Sequence, residues 1–301
     1  MNAPRSKRRL DGVLMLDKAG GASSNAALQQ AKRLYRAAKA GHAGTLDPLA
    51  SGLLPVLFGE ATKFSSDLLD ADKAYAAEVR LGVSTSTADA EGEVTARRDV
   101  SVTAEQLEAA LAHFRGDILQ TPPLYSALKH EGKPLYTYAR AGLDVERAPR
   151  RVTIHALSLS WFEGERLALS VNCSKGTYIR SLAHDLGETL GCGAHLAALR
   201  RIGVGRFGLD RAVTLAQLEA MSETERDARL LPVDALLQDL PEARLAPGAE
   251  VKFLRGQALP WGGAPHPRVR VYDSRGGLLG VGEVGADAMI SPRRTIAQTQ
   301  S

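Results

Sequence analysis

Hydrophobic and polar positions along the chain alternate in two periods. Residues 12–17 are a short apolar run that reads as a buried strand. Ser23 or Ser24 can cap a helix running to about Ala38, with Ala27, Ala31, Leu34 and Ala38 on its apolar side. From Tyr75 to Leu81 the period becomes two, which places Tyr75, Ala77, Val79 and Leu81 on one face of a strand. Thr103 caps a helix over residues 104–114, with Glu105 and Glu108 near its positive end. Val152–Phe162 and Arg166–Cys173 read as paired strands joined at Glu163-Gly164-Glu165. A helix follows with Ile179, Leu182, Ala183, Leu186 and Leu190 at helical spacing. Between these elements, residues 129–150 hold Gly132, Pro134, Gly142 and Pro149 around a short helix with Tyr136 and Tyr138, an insertion expected to project from the core. At Asp239-Leu240-Pro241 glycine and proline become frequent. Val269–Tyr272, Arg275-Gly276-Gly277 and Leu278–Val284 then read as a β-hairpin.

Composition narrows the class. A chain of 301 residues exceeds one ordinary core, so two domains are expected. Hydrophobic content of 44% and charged content of 24% are those of a globular protein. No apolar run approaches the ~18 residues that span a bilayer. Arg5, Lys7, Arg8 and Arg9 make the N-terminus basic, but no apolar segment follows, so no signal peptide is expected. Two cysteines without a CxxC spacing speak against a zinc site or a disulfide framework, and Cys173 shares the apolar parity of Leu167, Leu169 and Val171. A reducing, cytoplasmic compartment is the expectation. Net charge is +4, and it is clustered: Lys32, Arg33, Arg36 and Lys39; Lys129 to Arg151; Arg200, Arg201 and Arg206; Arg293 and Arg294. One such cluster is an ordinary solvated face. Four suggest surfaces that follow a phosphate backbone.

The most informative stretch is Gly41 to Pro55, where a lone acid, Asp47, stands among three glycines and two prolines. Glycine admits backbone angles other residues resist, and proline fixes φ, so Asp47 belongs to a shaped loop. Leu49, Leu53 and Leu54 anchor that loop in a core. Two readings compete at this point. Asp47 caps a following helix whose first position is Pro48, or it is a catalytic carboxylate presented by a rigid scaffold.

The run His42–Pro55 resembles the signature loop of the bacterial tRNA pseudouridine-55 synthases, the pseudouridine synthase B family. Further blocks resemble the family in family order: Gly12 to Lys18, Lys73-Ala74-Tyr75, Pro122 to Lys129, Cys173 to Arg180, and Ala194-His195-Leu196 through Leu199-Arg200-Arg201. One departure stands at Ala19, where the family usually has proline. The resemblance implies an α+β pseudouridine synthase fold, with a mixed, largely antiparallel central sheet flanked by helices. It implies a catalytic domain over residues 10–240, with the 129–150 insertion contacting RNA, and a small β-rich PUA-like RNA-binding domain over 241–301. It makes Asp47 the catalytic residue and Tyr75 the partner stacked on the target base. Tyr178, Leu199, His42 and Lys18 join the substrate-binding set, and Asp89 has a supporting role.

Arg180 is singled out by the residues as well. It stands in the first turn of an expected helix, where the macrodipole disfavours a cation, and a nearby carboxylate would remove the conflict while holding Asp47 ionised. The resemblance implies the same pairing. Turning uridine into pseudouridine breaks and remakes a glycosidic bond without net oxidation, so no cofactor and no metal are expected. The chain accordingly has no P-loop, dinucleotide fingerprint or metal-ligand cluster. An ionised acid can attack C1′, add to C6 or remove the C2′ proton, and the sequence does not choose among these. The expected partner is the T-arm of tRNA, met by a monomer without membrane association. Two other readings are a non-catalytic RNA-binding or tRNA-folding protein on the same scaffold, and a related synthase with another RNA target.

Overall fold

A computed structural model describes residues 6–126 and 128–297. Arg5 of the basic N-terminus, Ala127 of the Pro122–Lys129 block and the last four residues lie outside the described set.

The body is built on one nine-stranded sheet. Its order is Gly12–Lys18, Ser51–Phe58, Ala194–Val204, Lys73–Leu81, Arg166–Cys173, Arg150–Glu163 and Gly116–Gln120. Ala40–His42 adds to Ser51–Phe58, and Phe207–Gly208 to Ala194–Val204. Every pairing is antiparallel except Ser51–Phe58 with Ala194–Val204, so the sheet is mixed and largely antiparallel. The strand Lys73–Leu81 alternates as read, with Tyr75, Ala77, Val79 and Leu81 buried. Helices Ser24–Leu34, Ala104–Ala112 and Ile179–Thr189 supply apolar faces to the same core. Cys173 is fully buried there.

The first helix ends four residues earlier than the sequence suggests. Tyr35 caps it, and Arg36 takes a positive φ of 51°. Ala38 is exposed, and the buried stripe runs instead through Ala27, Leu28 and Ala31 to Tyr35. The cause is tertiary. The Tyr35 ring packs 4.9 Å from that of Phe58, and its hydroxyl donates to the Arg226 carbonyl at 2.6 Å, which draws the chain out of the helix. The helix Ala104–Ala112 starts at a capping box between Thr103 and Gln106 and stops two residues before the expected end at residue 114.

The 129–150 segment forms a two-stranded hairpin, Lys129–His130 with Lys133–Pro134, and the helix Leu135–Arg140. From Glu242 a second, five-stranded sheet begins, with the hairpin His266–Tyr272 and Leu278–Val284 at its centre. Its own core holds Phe253, Val271, Val284 and Ile290. Val281 points the other way, into a cluster with Val13, Met15, Leu53, Val233 and Leu237 of the body.

Candidate active site

After the strand Ala40–His42 the chain takes an irregular path over residues 43–50 and then enters the strand Ser51–Phe58. No helix follows Asp47, so the capping alternative does not describe this loop. Several ties set its shape. The buried Ser24 hydroxyl donates to the Leu46 carbonyl at 2.9 Å and accepts from the Leu46 amide at 2.8 Å. Lys18, itself buried, donates to the carbonyls of Ala19, Ala22 and Pro48 at 2.9, 2.6 and 3.4 Å. Gly21 donates to the same Pro48 carbonyl. Leu46, Ala50, Leu53 and Leu54 are buried beneath. Fixed from behind, Asp47 keeps 40% of its side-chain surface open.

Arg180 Nε stands 2.9 Å from Asp47 Oδ2. The guanidinium is 4% exposed; it also donates to the carbonyls of Thr87 at 3.2 Å and Tyr125 at 2.7 Å. A second carboxylate, Asp89, lies 3.6 Å from the same Nε and is held by the Thr87 hydroxyl and the Glu91 amide. Arg180 is the second residue of the helix Ile179–Thr189, and the two acids offset the dipole that opposes its charge. Burial pushes the Asp47 carboxyl above the ordinary aspartate range; Arg180 opposes that rise, and Asp89 adds to it.

The pair forms part of the wall of a cleft of about 320 Å3, the scale of a small-ligand site. Tyr75, Tyr178, Leu199 and Arg201 share that wall. Tyr75 keeps its core parity while facing the cleft, and burial raises its phenol pKa. Tyr178 immediately precedes the helix, and its backbone is clamped by the Gln120 amide group, which accepts from Tyr178 N at 2.7 Å and donates to Tyr178 O at 3.0 Å. Larger hollows lie at Asp99–Cys192, Met15–Gln238 and Thr85–Asp185, away from the Asp47 carboxylate.

Two expected site residues are not among those that line this wall. Lys18 serves the loop carbonyls and is not among the residues lining the cleft. His42 is half-buried at the strand end, also off the wall, with Nδ1 buried and unpartnered among the described residues; burial, then Arg201, lowers its pKa.

Four contributors were not identified from sequence. Ser24 was considered only as a helix cap, and Gln120 carried no signal. Lys73 lines the cleft and donates to the carbonyls of Leu68, Leu69 and Ala71 at 3.2, 2.7 and 2.5 Å; burial lowers its pKa to about 8. Arg201 was grouped with the basic surface, yet only 1% of it is exposed.

The chain is 55% identical over 300 residues to a protein of Methylobacillus flagellatus named tRNA pseudouridine synthase B, covering 99% of each. This chain belongs to the TruB family of pseudouridylate synthases. The model of the TruB family pseudouridylate synthase N-terminal domain matches residues 32–179. The tRNA pseudouridylate synthase B C-terminal domain matches 180–238, and the C-terminal model of pseudouridine synthase II TruB matches 241–296. A Burkholderia mallei protein of the same name is 57% identical over 301 residues, covering 97% of this chain and 96% of that one. Among solved structures, a chain of a Cbf5–Nop10–Gar1 complex aligns with TM-score 0.69 at 28% identity, over 91% of this chain and 78% of that chain.

The basic surface of this TruB chain is smaller than its sequence suggests. Arg201 is internal, Arg36 pairs with Glu223 at 2.5 Å, Arg200 with Asp17 at 2.6 Å, and Arg293 with Glu283. Lys129, Lys133, Arg150, Arg151, Arg206 and Arg294 remain exposed.

Proposed function

We infer that this chain isomerises uridine to pseudouridine at position 55, in the T-loop of tRNA, on a base flipped into the Asp47 cleft. The observation that carries this reading is the Asp47–Arg180 pair at 2.9 Å, mounted on a tied-down loop in a cleft walled by Tyr75, Tyr178 and Leu199. The reaction breaks N1–C1′, turns the ring and forms C5–C1′; C5 loses a proton and N1 gains one, so atoms and electrons balance without an oxidant. Attack on C1′, addition to C6 and removal of the C2′ proton each use an ionised Asp47, and Arg180 holds that ionised form in place. Tyr75, Tyr178 and Leu199 give the extruded base aromatic and apolar walls, offsetting the few kcal/mol of lost stacking. Lys18 supports substrate binding by holding the loop, and His42, at the strand end, meets the RNA beside the extruded nucleotide.

We assign chemistry to residues 10–240 and added RNA affinity to a PUA-like domain over 241–301, with the 129–150 insertion contacting the T-arm. We infer a monomer that meets its tRNA in the cytoplasm. The chemistry itself calls for neither cofactor nor metal. The test is tritium release from C5-labelled uridine in tRNA. Release from the T-loop uridine supports the assignment; saturable tRNA binding without release would make the chain an RNA-binding protein on this scaffold.

A further inference from the structure

Arg201 is the largest fully buried side chain among the described residues, and it has no carboxylate partner among the ion pairs described. Taking a guanidinium out of water without a counter-charge is unfavourable, so it persists only where its donors are well used. Its donors converge on the site. Nε donates to the Leu53 carbonyl at 2.7 Å and Nη2 to the Gly44 carbonyl at 3.0 Å, the two ends of the segment that carries Asp47. Arg201 is also the cross-strand partner of Tyr75, so both side chains leave the same face of the sheet, and the guanidinium lies near enough to the Tyr75 phenol for each to act on the other's charge. Both line the cleft.

Two glycines fit closely around this residue, one against its side chain and one against its backbone. Gly44 has φ +89°, and a Cβ there would meet Arg201 Nη1 at 3.3 Å. Gly52 has φ +101°, and a Cβ there would stand 2.2 Å from the Arg201 carbonyl oxygen. Two glycines of the Gly41–Pro55 stretch thus give Arg201 its close approach.

We propose that Arg201 is a positioning residue that sets the catalytic loop and the Tyr75 ring in one fixed relation across the cleft. It touches no reacting atom. It joins the element bearing the acid to the element bearing the stacking partner, and a misplacement of about 1 Å between them would cost roughly 10²-fold in rate. The proposal deepens the pseudouridine synthase reading and rests on it.

The experiment uses the full chain and unmodified tRNA transcript. Single-turnover rates at saturating tRNA, tRNA Kd and thermal melting are measured for wild type, Arg201→Lys, Arg201→Met, Tyr75→Phe and the doubles with Tyr75→Phe. Arg201→Met is expected to lose about 10²-fold in rate with Kd within about threefold of wild type. Arg201→Lys, which keeps the charge without the fork, stands between them and serves alone if Arg201→Met does not fold. Adding Tyr75→Phe to either variant is expected to cost less than Tyr75→Phe costs alone, because the pair is already broken. The proposal is overturned if Arg201→Lys turns over at the wild-type rate. It is equally overturned if the Arg201 and Tyr75 losses simply multiply, the mark of a merely structural arginine. Absence of pseudouridine with wild type would instead remove the functional reading.

Discussion

At the scale of single residues, Asp47 is a carboxylate whose surroundings both oppose and defend its charge. Burial and Asp89 raise the Asp47 pKa, and Arg180 at 2.9 Å pulls it back without restoring the ordinary value. In the proposed reaction Asp47 acts ionised, so activity is expected to be full above the raised pKa and to be lost as pH falls through it. The acid limb of the single-turnover rate is therefore expected above the ordinary aspartate value of about 3.9. Asp89→Asn removes a like charge, so the limb should move to lower pH; a limb that stays fixed or rises would show that Asp89 does not act on Asp47 electrostatically. Arg180→Lys is expected to retain under about 1% of the wild-type rate, because lysine cannot serve Asp47, Thr87 O and Tyr125 O from one planar fork. A rate for Arg180→Lys near wild type would contradict that dependence. Asp47, Tyr75, Tyr178, Arg180 and Leu199 were all named from sequence and meet at one cleft. Arg201 was misread because sequence shows a charge and not its burial; Gln120 was missed because a single amide in an edge strand has no pattern.

At the scale of elements, period-two and helical spacing read well wherever a face packs on one core, as in Lys73–Leu81 and Ile179–Thr189. They failed at the end of the first helix, where Tyr35, anchored on Phe58 and Arg226, closes the buried stripe and leaves Ala38 exposed. Loop shape was legible as the need for glycines, not as the ties that fill it. Ser24 supplies two of those ties, both buried, to the residue before Asp47. Ser24→Ala leaves the Leu46 amide and carbonyl without that partner and is expected to cost about 1–3 kcal/mol of unfolding free energy. The single-turnover rate should fall further than tRNA affinity does. Chemical denaturation with single-turnover kinetics checks both, and unchanged values would mean the loop is held without Ser24.

At the scale of the molecule, the composition change at Asp239 marked the second sheet, but not the core it shares with the body. Val281, with Leu278 and Ile296 beside it, packs on Val13, Leu53 and Leu237, and such contacts across distant sequence leave no local signal. Deleting residues from Pro241 onward is thus expected to lower the melting temperature by uncovering that cluster. It should also weaken tRNA binding and flatten the dependence of log K on log salt, while the single-turnover rate at saturating tRNA stays near the intact value. A collapsed rate in a folded truncation would place the segment in the active site. The central claim is tested most directly by mapping pseudouridine nucleotide by nucleotide in unmodified tRNA after a single turnover, with wild type and Asp47→Asn at equal occupancy. Wild type should convert the T-loop uridine, and Asp47→Asn should do so at a rate lower by roughly 10³-fold or more with tRNA binding largely intact. Comparable conversion by Asp47→Asn, or conversion only at another nucleotide, would contradict it.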